Sequence, residues 1–137
     1  MNLRWAKVKD VDRLAGMAAL DRHLSPGQLA QAVEQGRVLT AWDGQVLAGW
    51  LRYGWFWDNT PFLNLLFVQK EYRGQGWGNL LLRRWEEEMK RQGFSVLLTS
   101  TQAQEQSQHF YRHFGYRDVG GFLLPPEPYE LILAKNI

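Results

Sequence analysis

The residues best placed to do chemistry are the glycines of a turn at positions 73–78, which reads Arg-Gly-Gln-Gly-Trp-Gly. An apolar segment at 62–68 precedes this turn and an amphipathic pattern at 78–91 follows it, so the turn is predicted to join a strand to a helix. The first N–H groups of a helix lack intrahelical partners, and glycines lack the Cβ atoms that would keep a phosphate away from them. The turn is therefore predicted to bind a phosphorylated ligand.

Two other phosphate-binding loops fit the sequence less well. A P-loop has Lys and then Ser or Thr after its last glycine, whereas Asn79 and Leu80 follow Gly78. The dinucleotide-binding fingerprint has the spacing Gly-x-Gly-x-x-Gly in the first strand-helix unit and an acidic residue about 20 positions further on. Here the spacing is Gly-x-Gly-x-Gly, the turn lies mid-chain, and 96–99 reads Val-Leu-Leu-Thr. A third alternative is that the glycines only let the backbone turn sharply.

Length and composition indicate one domain over residues 1–137. The chain is 45% apolar and 22% charged, which is typical of a globular protein. The absence of cysteine excludes disulfides, thiolate metal sites and cysteine nucleophiles. The net charge is +2 and the basic residues are dispersed, so no nucleic-acid partner is expected. Neither a membrane span nor a signal peptide is predicted, and we expect a cytoplasmic location without a membrane partner.

The hydrophobic pattern predicts a mixed α/β chain. Alternation predicts a strand at 3–8, after which Asp10 is placed to cap a helix that extends to about residue 20. Ser25 followed by Pro26 predicts the start of a second helix that stops at Gly36. The remaining predicted elements are strands at 37–42, 45–57, 62–68, 95–101, 116–122 and 129–134, helices at 78–91 and 104–114, and turns at 43–44 and 58–61.

Two segments resemble the GCN5-related N-acetyltransferase (GNAT) family. The first is the Arg-x-x-Gly-x-Gly spacing within 73–78, and the second is 110–116, Phe-Tyr-Arg-His-Phe-Gly-Tyr. The order strand, two helices, three strands, helix, strand, helix, two strands also matches, although the resemblance is specific only over 62–116. It implies the acyl-CoA N-acyltransferase fold, a mixed sheet with splayed central strands flanked by helices. It also implies transfer of the acetyl group of acetyl-coenzyme A directly to an amine.

The resemblance assigns the coenzyme site residue by residue. In the family the glycine loop binds the pyrophosphate, and the strand before it, here 62–68, parts from the next strand to admit the pantetheine arm. A nearby N–H stabilises the oxyanion formed at the thioester. Gln104 stands where the family commonly has Asn, and it keeps a side-chain amide. The residues implied for coenzyme binding are Leu66, Phe67, Val68, Arg73, Gly74, Gln75, Gly76, Trp77, Gly78, Gln104, Ser107 and Tyr111.

Tyr111 is also the general acid that the resemblance implies, protonating the thiolate of coenzyme A as it leaves. Its phenol, with an ordinary pKa of about 10, is protonated at neutral pH. The alternative is a core tyrosine, because Ser107, Phe110 and Phe114 share its helical face.

The general base stays open, since Asn64 is the only polar side chain in the strand at 62–68. Asp58, Glu127 and a chain of waters are the candidates. Many members of the family use a carboxylate on or near this strand as the base. Its absence from this strand leaves room for a non-catalytic acyl-coenzyme A sensor or interaction protein. Transfer of a longer acyl group, or transfer to a hydroxyl, is a further alternative.

The acceptor side is predicted from aromatic and polar residues. Tyr53, Trp55 and Trp57 alternate on one face of the third predicted strand, where they would form an apolar or cation-accepting wall. Sheet packing or a homodimer surface is the alternative. The predicted acceptor-binding residues are His23, Trp55, Trp57 and Glu127, and the expected acceptor is a small amine.

A metal site is weighed at one place only. Glu105, His109 and His113 are spaced four apart and would share a helical face. A solvated face is the favoured explanation, because no further ligands are evident in the sequence. No metal is therefore expected.

Overall fold

The computed structural model describes residues 1–17 and 24–137 as a mixed α/β fold. The strands are β1 (Asn2–Trp5), β2 (Val38–Asp43), β3 (Val46–Phe56), β4 (Thr60–Val68), β5 (Val96–Gln102), β6 (Arg117–Phe122) and β7 (Glu130–Asn136). The helices are α1 (Val11–Ala15), α2 (Pro26–Glu34), α3 (Trp77–Arg91) and α4 (Ser107–His113). The strands form a seven-stranded mixed sheet in the order β1-β2-β3-β4-β5-β7-β6, which confirms the predicted fold class.

The residues group into two compact units. Unit 1 contains Met1–Tyr53 and Leu65–Trp85, and unit 2 contains Gly54–Asn64 and Glu86–Ile137. In unit 1, β2 pairs antiparallel with both β1 and β3. In unit 2, β4 pairs parallel with β5, and β7 pairs antiparallel with both β5 and β6.

The core of unit 1 packs α1 and α2 against β2 and β3. Its buried side chains are Leu14, Leu29, Ala32, Val33, Val38, Trp42, Leu47 and Trp50. The start of α2 is fixed by a reciprocal cap: the Gln28 amide donates to Ser25 Oγ (3.3 Å) and the Ser25 amide donates to Gln28 Oε1 (2.9 Å). This cap confirms the predicted helix start at Ser25 and Pro26.

The stripe predicted on α3 is also confirmed. The side chains on that stripe, Leu81, Leu82, Trp85 and Met89, are all buried. The charged side chains predicted for the outside include Arg83 and Glu87, which are exposed. The apolar side of α3 therefore faces the protein interior, as its period of 3.6 residues requires.

The first predicted strand and the predicted cap at Asp10 need correction. The strand ends at Trp5, and a 3₁₀ turn over Val8–Asp10 follows it. The Asp10 carboxylate accepts hydrogen bonds from the Lys7 amide (2.8 Å) and from the Arg4 guanidinium (2.6 and 2.9 Å), and makes no capping bond to α1. Burial beside a guanidinium favours this ion pair over a cap.

Both predicted hairpin turns begin at a different residue in the structure. Asp43 pairs with Val46, so the first turn consists of Gly44 and Gln45 rather than residues 43–44. The second turn begins at Trp57, where Trp57 (φ 55°) and Asp58 (φ 61°) adopt left-handed backbone conformations. Trp57 therefore lies in the turn and not on the strand face predicted for it.

Two further predictions concern helix ends. The helix α4 begins at Ser107, so Gln104 lies in a turn before it and not in the predicted helix. The helix predicted to run to residue 20 is described to Ala15. The rest of that prediction, at residues 18–20, and the predicted acceptor residue His23 lie outside the described residues.

The parallel pairing of β4 and β5 is short. Phe62 pairs with Leu98 and Leu63 pairs with Thr99, both within unit 2. The Thr99 hydroxyl donates to the Leu63 carbonyl over 3.1 Å, which adds a side-chain link at the last paired position. None of the helices in the described ranges is long and apolar enough to cross a membrane.

Candidate active site

The glycine loop follows β4 through a 3₁₀ turn at Lys70–Tyr72 and belongs to unit 1. Gly74 has φ +75° and Gly76 has φ +91°, conformations that residues with a side chain rarely adopt. A Cβ atom built on either glycine would meet no atom within 4 Å. The glycines thus meet a conformational need of the backbone and leave open space beside it where a ligand can approach.

The loop presents backbone donors at the start of α3. The first helical bond runs from the Leu80 amide to the Gly76 carbonyl over 3.1 Å. The amides of Trp77, Gly78 and Asn79 come before it in the helix, and such amides have no intrahelical acceptor. They carry the partial positive charge of a helix N-terminus, which favours an anion.

The side chains of the loop stabilise its own backbone. Arg73 Nε donates to the Val68 carbonyl (2.9 Å), and the Arg73 guanidinium lies 5.5 Å from the centroid of the Phe67 ring. Gln75 Nε2 donates to the Glu71 carbonyl over 3.0 Å. Arg73 therefore holds the loop against the end of β4, and Gln75 holds it against the 3₁₀ turn. The contacts predicted for both side chains with the coenzyme remain predictions.

Trp77 was predicted to bind the coenzyme, and its side chain is part of the core of unit 1. The indole is buried and packs edge-on against Tyr72, with 5.6 Å between ring centroids. Only the backbone N–H of Trp77, at the start of α3, is placed to serve a ligand at the loop.

Gly49 is a sterically constrained position next to the end of β4 that the sequence analysis missed. A Cβ atom on Gly49 would lie 2.5 Å from the Phe67 carbonyl oxygen and 3.2 Å from the Val68 Cα. The Gln69 amide also donates to the Ala48 carbonyl over 2.8 Å. Gly49 thus permits the close approach of β3 to the end of β4 that precedes the loop. Glycine inside a predicted strand was the available signal, and the predicted strand 45–57 contains two, Gly49 and Gly54.

Tyr111 lies on α4 in unit 2 and is 6% exposed. Its ring packs edge-on against Phe110 and Tyr116, at centroid distances of 5.3 and 5.7 Å. Burial raises the pKa of Tyr111 above its usual value, a hydrogen bond with Thr99 opposes this, and the charge of Glu105 adds to it. The hydroxyl is therefore protonated at neutral pH, as a proton donor must be. Its burial fits the alternative role in the core equally well.

The other predicted residues of unit 2 lie around the end of β5. Glu127 accepts a hydrogen bond from Gln102 Nε2 over 3.2 Å, and Gln102 is a buried polar residue that the sequence analysis did not single out. The Ser107 hydroxyl donates to Glu105 Oε2 over 3.2 Å. Gln104 is exposed in its turn. Gln102 therefore orients Glu127, one of the candidate bases.

The predicted aromatic wall is reduced to two residues. Tyr53 is buried, with its ring 5.8 Å from that of Trp85, so it belongs to the core of unit 1. Trp55 is 41% exposed, and its ring centroid lies 5.3 Å from that of Phe94, also in unit 2. Trp57 is 79% exposed in its turn. Trp55 and Trp57 are accessible aromatic surfaces, and their role toward an acceptor stays a prediction.

The possible metal ligands do not form a group. Glu105 precedes the start of α4, so it does not continue the helical face of His109 and His113. Within residues 1–17 and 24–137, no three His, Cys, Asp or Glu side chains are grouped closely enough to hold a metal ion.

Comparison with known proteins identifies the family. The model of the acetyltransferase (GNAT) family matches residues 5–116, which is most of the chain. The chain therefore belongs to the GNAT acetyltransferase family, as the sequence resemblance predicted. A comparison with curated proteins gave no match.

Solved structures of GNAT proteins share this fold over nearly the whole chain. The PaiA N-acetyltransferase of Thermoplasma acidophilum, solved in complex with coenzyme A, has a TM-score of 0.82 at 18% identity, covering 99% of this chain and 98% of that one. The ribosomal-protein-alanine N-acetyltransferase of Brucella melitensis has a TM-score of 0.83 at 20% identity, with both chains fully covered. Ard1 of Thermoplasma volcanium has a TM-score of 0.87 at 10% identity, covering 99% and 97%.

Proposed function

We propose that this protein is an acetyl-coenzyme A-dependent N-acetyltransferase that acetylates a small amine. The observation that carries the proposal is the loop at 73–78, where two left-handed glycines, Gly74 and Gly76, leave open space at the start of the 15-residue helix α3. Membership of the GNAT family supports the same activity. The family match extends through both compact units, which supports a single catalytic domain.

The coenzyme is held mainly by backbone groups in this proposal. The amides at the start of α3 bind the pyrophosphate, because they are free of intrahelical acceptors and lie at the positive end of the helix dipole. The backbone groups of Leu66, Phe67 and Val68 bind the pantetheine arm. Gln104 and Ser107 add side-chain polar groups toward the same arm.

The acetyl thioester supplies the acyl group, and the protein moves the protons. The acceptor nitrogen forms a bond to the acetyl carbon, and the carbon–sulfur bond breaks. Tyr111 donates its phenolic proton to the departing sulfur, for which its raised pKa keeps it protonated. An ammonium acceptor first gives up one proton to become the neutral amine, and the attacking nitrogen then loses a second. Glu127, oriented by Gln102, is the base that we favour over Asp58 or a chain of waters.

The acceptor class rests on accessible groups in unit 2. Trp55 and Trp57 offer aromatic surface for an apolar or cationic group, and Glu127 offers a carboxylate that attracts an ammonium. We also keep His23 as a predicted acceptor contact. Two of the similar solved structures are of ribosomal-protein-alanine N-acetyltransferases, from Brucella melitensis and Escherichia coli, so a peptide N-terminus belongs in any acceptor screen.

The deciding experiment is a thiol-release assay with acetyl-coenzyme A and a panel of polyamines, amino acids, aminoglycosides and short peptides. The expected result is thiol release that depends on one class of small amine, with a product heavier by one acetyl group. The Tyr111→Phe variant, which keeps the buried ring, serves as the matched control and should release thiol far more slowly. Coenzyme binding without thiol release for any acceptor would instead assign the chain as a non-catalytic binder.

A further inference from the structure

Unit 1 contains a cleft built from residues that the proposed chemistry does not use. Its volume is about 310 Å³, at the lower end of the roughly 300–1,000 Å³ typical of small-molecule sites. Its charged lining consists of three cations, Arg4, Lys9 and Arg13, and one carboxylate, Asp10. The cleft therefore has an excess of positive charge.

A buried indole fixes both arginines in this cleft. The Arg4 guanidinium lies 4.7 Å and the Arg13 guanidinium 5.4 Å from the centroid of the Trp42 ring. Trp42 is itself held by a hydrogen bond from its Nε1 to Thr40 Oγ1 over 2.8 Å. The two guanidinium groups are thus ordered before any ligand arrives, which lowers the entropic cost of binding.

The cations differ in how far they are already neutralised. Arg4 donates twice to Asp10, so this pair is close to neutral as a whole. Arg13 Nη1 donates to the Gln45 carbonyl (2.8 Å), which leaves four of its five N–H donors for another acceptor. In the part of the chain that the structure describes, neither Lys9 nor Arg13 forms an ion pair. Lys9 and Arg13 carry the free positive charge.

Two other acidic residues of the described ranges, Asp43 and Asp12, are close to the cleft in sequence but do not line it. Asp43 precedes the lining residue Gly44 and interacts with Tyr72, whose pKa it helps to raise after the larger effect of burial. Asp12 is exposed on α1 and does not line the cleft.

From this charge and geometry, we propose that the cleft binds a compact anion with at least two negative charges on phosphate groups, at a site separate from the glycine loop. Two free cations that converge on one cavity favour a multiply charged ligand over a single carboxylate. The planar donor fork of Arg13 fits two phosphate oxygens at once. The ammonium of Lys9 supplies a second contact from another direction, which a tetrahedral phosphate group can accept.

The test is calorimetric titration of the full chain with inorganic pyrophosphate, in the presence of saturating coenzyme A so that the glycine loop is occupied. Lys9→Ala and Arg13→Ala should each weaken pyrophosphate binding by roughly tenfold, because each removes one charged contact with the anion. Lys90→Ala and Arg83→Ala, which remove exposed cations of α3 outside the cleft, should leave binding unchanged. Added salt should weaken binding to the wild-type protein.

Three outcomes would overturn the proposal: no pyrophosphate binding by the wild-type protein, binding that coenzyme A displaces, or equal affinities in wild type and the two cleft variants. Lys9 is exposed and forms no ion pair with the residues that the structure describes, so Lys9→Ala keeps the test valid if Arg13→Ala proves unstable. If coenzyme A itself does not bind, the same titration on a Gly76→Ala protein tests the cleft alone. A failure of coenzyme A to bind the wild-type protein would count against the proposed function and not against the cleft.

Discussion

Tyr111 of α4 lies beside Thr99 of β5, at the last position where β5 pairs with β4, and its interaction with Thr99 opposes the rise that burial causes in the pKa of Tyr111. The Thr99 hydroxyl in turn donates to the Leu63 carbonyl. The phenol therefore lies at the end of the parallel pairing of β4 and β5. Removing the phenol oxygen should leave the Thr99 donor satisfied, which makes Tyr111→Phe a conservative test.

Tyr111→Phe should lower kcat by roughly 10² to 10⁴ while the affinity for coenzyme A stays within about twofold, because the change removes only the proton donor. The assay is steady-state thiol release, with calorimetry for the affinity. Thr99→Val is the matched control, since it removes the partner of Tyr111 but not the phenol. A kcat near that of the wild type in Tyr111→Phe would return Tyr111 to a role in the core.

The pH dependence of turnover should show no loss from ionisation of Tyr111 below about pH 10. The raised pKa of Tyr111 keeps the phenol protonated as the pH increases through its ordinary value. The measurement is the pH profile of kcat for wild type and Tyr111→Phe. A fall in kcat of the wild-type protein below pH 9 that is absent from Tyr111→Phe would contradict the conclusion that burial raises the pKa of Tyr111.

The ion pair between Arg4 and Asp10 should stabilise the fold except in acid. The hydrogen bond from Arg4 lowers the pKa of Asp10 to about 2. A lowered pKa in the folded state gives stability that is present above the unfolded pKa of about 4 and is lost as the pH falls toward 2. Asp10→Asn should therefore lower the free energy of unfolding by about 1–2 kcal/mol at pH 7, with the difference shrinking between pH 4 and pH 2. Denaturant titrations at each pH measure it, and the exposed Asp12→Asn should show no such loss.

Glu86 should be a stabilising residue of unit 2. It accepts hydrogen bonds from the Tyr116 hydroxyl (2.8 Å) and from Lys135 Nζ (2.9 Å). Glu86→Ala leaves both donors unpaired and should lower the free energy of unfolding by roughly 1–3 kcal/mol. Glu87→Ala, at the exposed neighbouring position, should change it by less than about 0.5 kcal/mol. Equal effects from the two substitutions in denaturant unfolding would show that the paired donors contribute nothing.

Gly49→Ala should disturb the end of β4. Its Cβ atom would lie 2.5 Å from the Phe67 carbonyl, so the strands must separate, at about 1–3 kcal/mol in the free energy of unfolding. The affinity for coenzyme A should fall as well, because the displaced strand leads into the glycine loop. Gly27→Ala in α2 is the control: it meets no atom within 4 Å and should be neutral or stabilising by up to about 1 kcal/mol. Normal stability and coenzyme affinity in Gly49→Ala would remove Gly49 from the site.

The features that the sequence predicted well are local ones. The cap of α2 depends on Ser25 and a residue three positions later, and the glycine loop depends on six consecutive residues. The contact of Tyr111 with Thr99, and the close approach at Gly49, depend on segments far apart in the chain, so no local pattern contains them. Trp57 was misplaced because a bulky residue is rare in the left-handed conformation that the turn imposes on it.

The most direct test of the account is the affinity of coenzyme A for Gly76→Ala compared with Gly36→Ala. Both glycines have positive φ, +91° and +71°, and at both positions a new Cβ atom meets no neighbour within 4 Å, so the two substitutions impose a similar backbone strain of about 1–2 kcal/mol. Only Gly76 lies in the loop where the phosphates are proposed to bind. Calorimetry should show coenzyme A binding to the wild-type protein, at least roughly tenfold weaker binding to folded Gly76→Ala, and unchanged binding to Gly36→Ala. Unchanged affinity in Gly76→Ala, or an equal loss in both variants, would contradict the central claim.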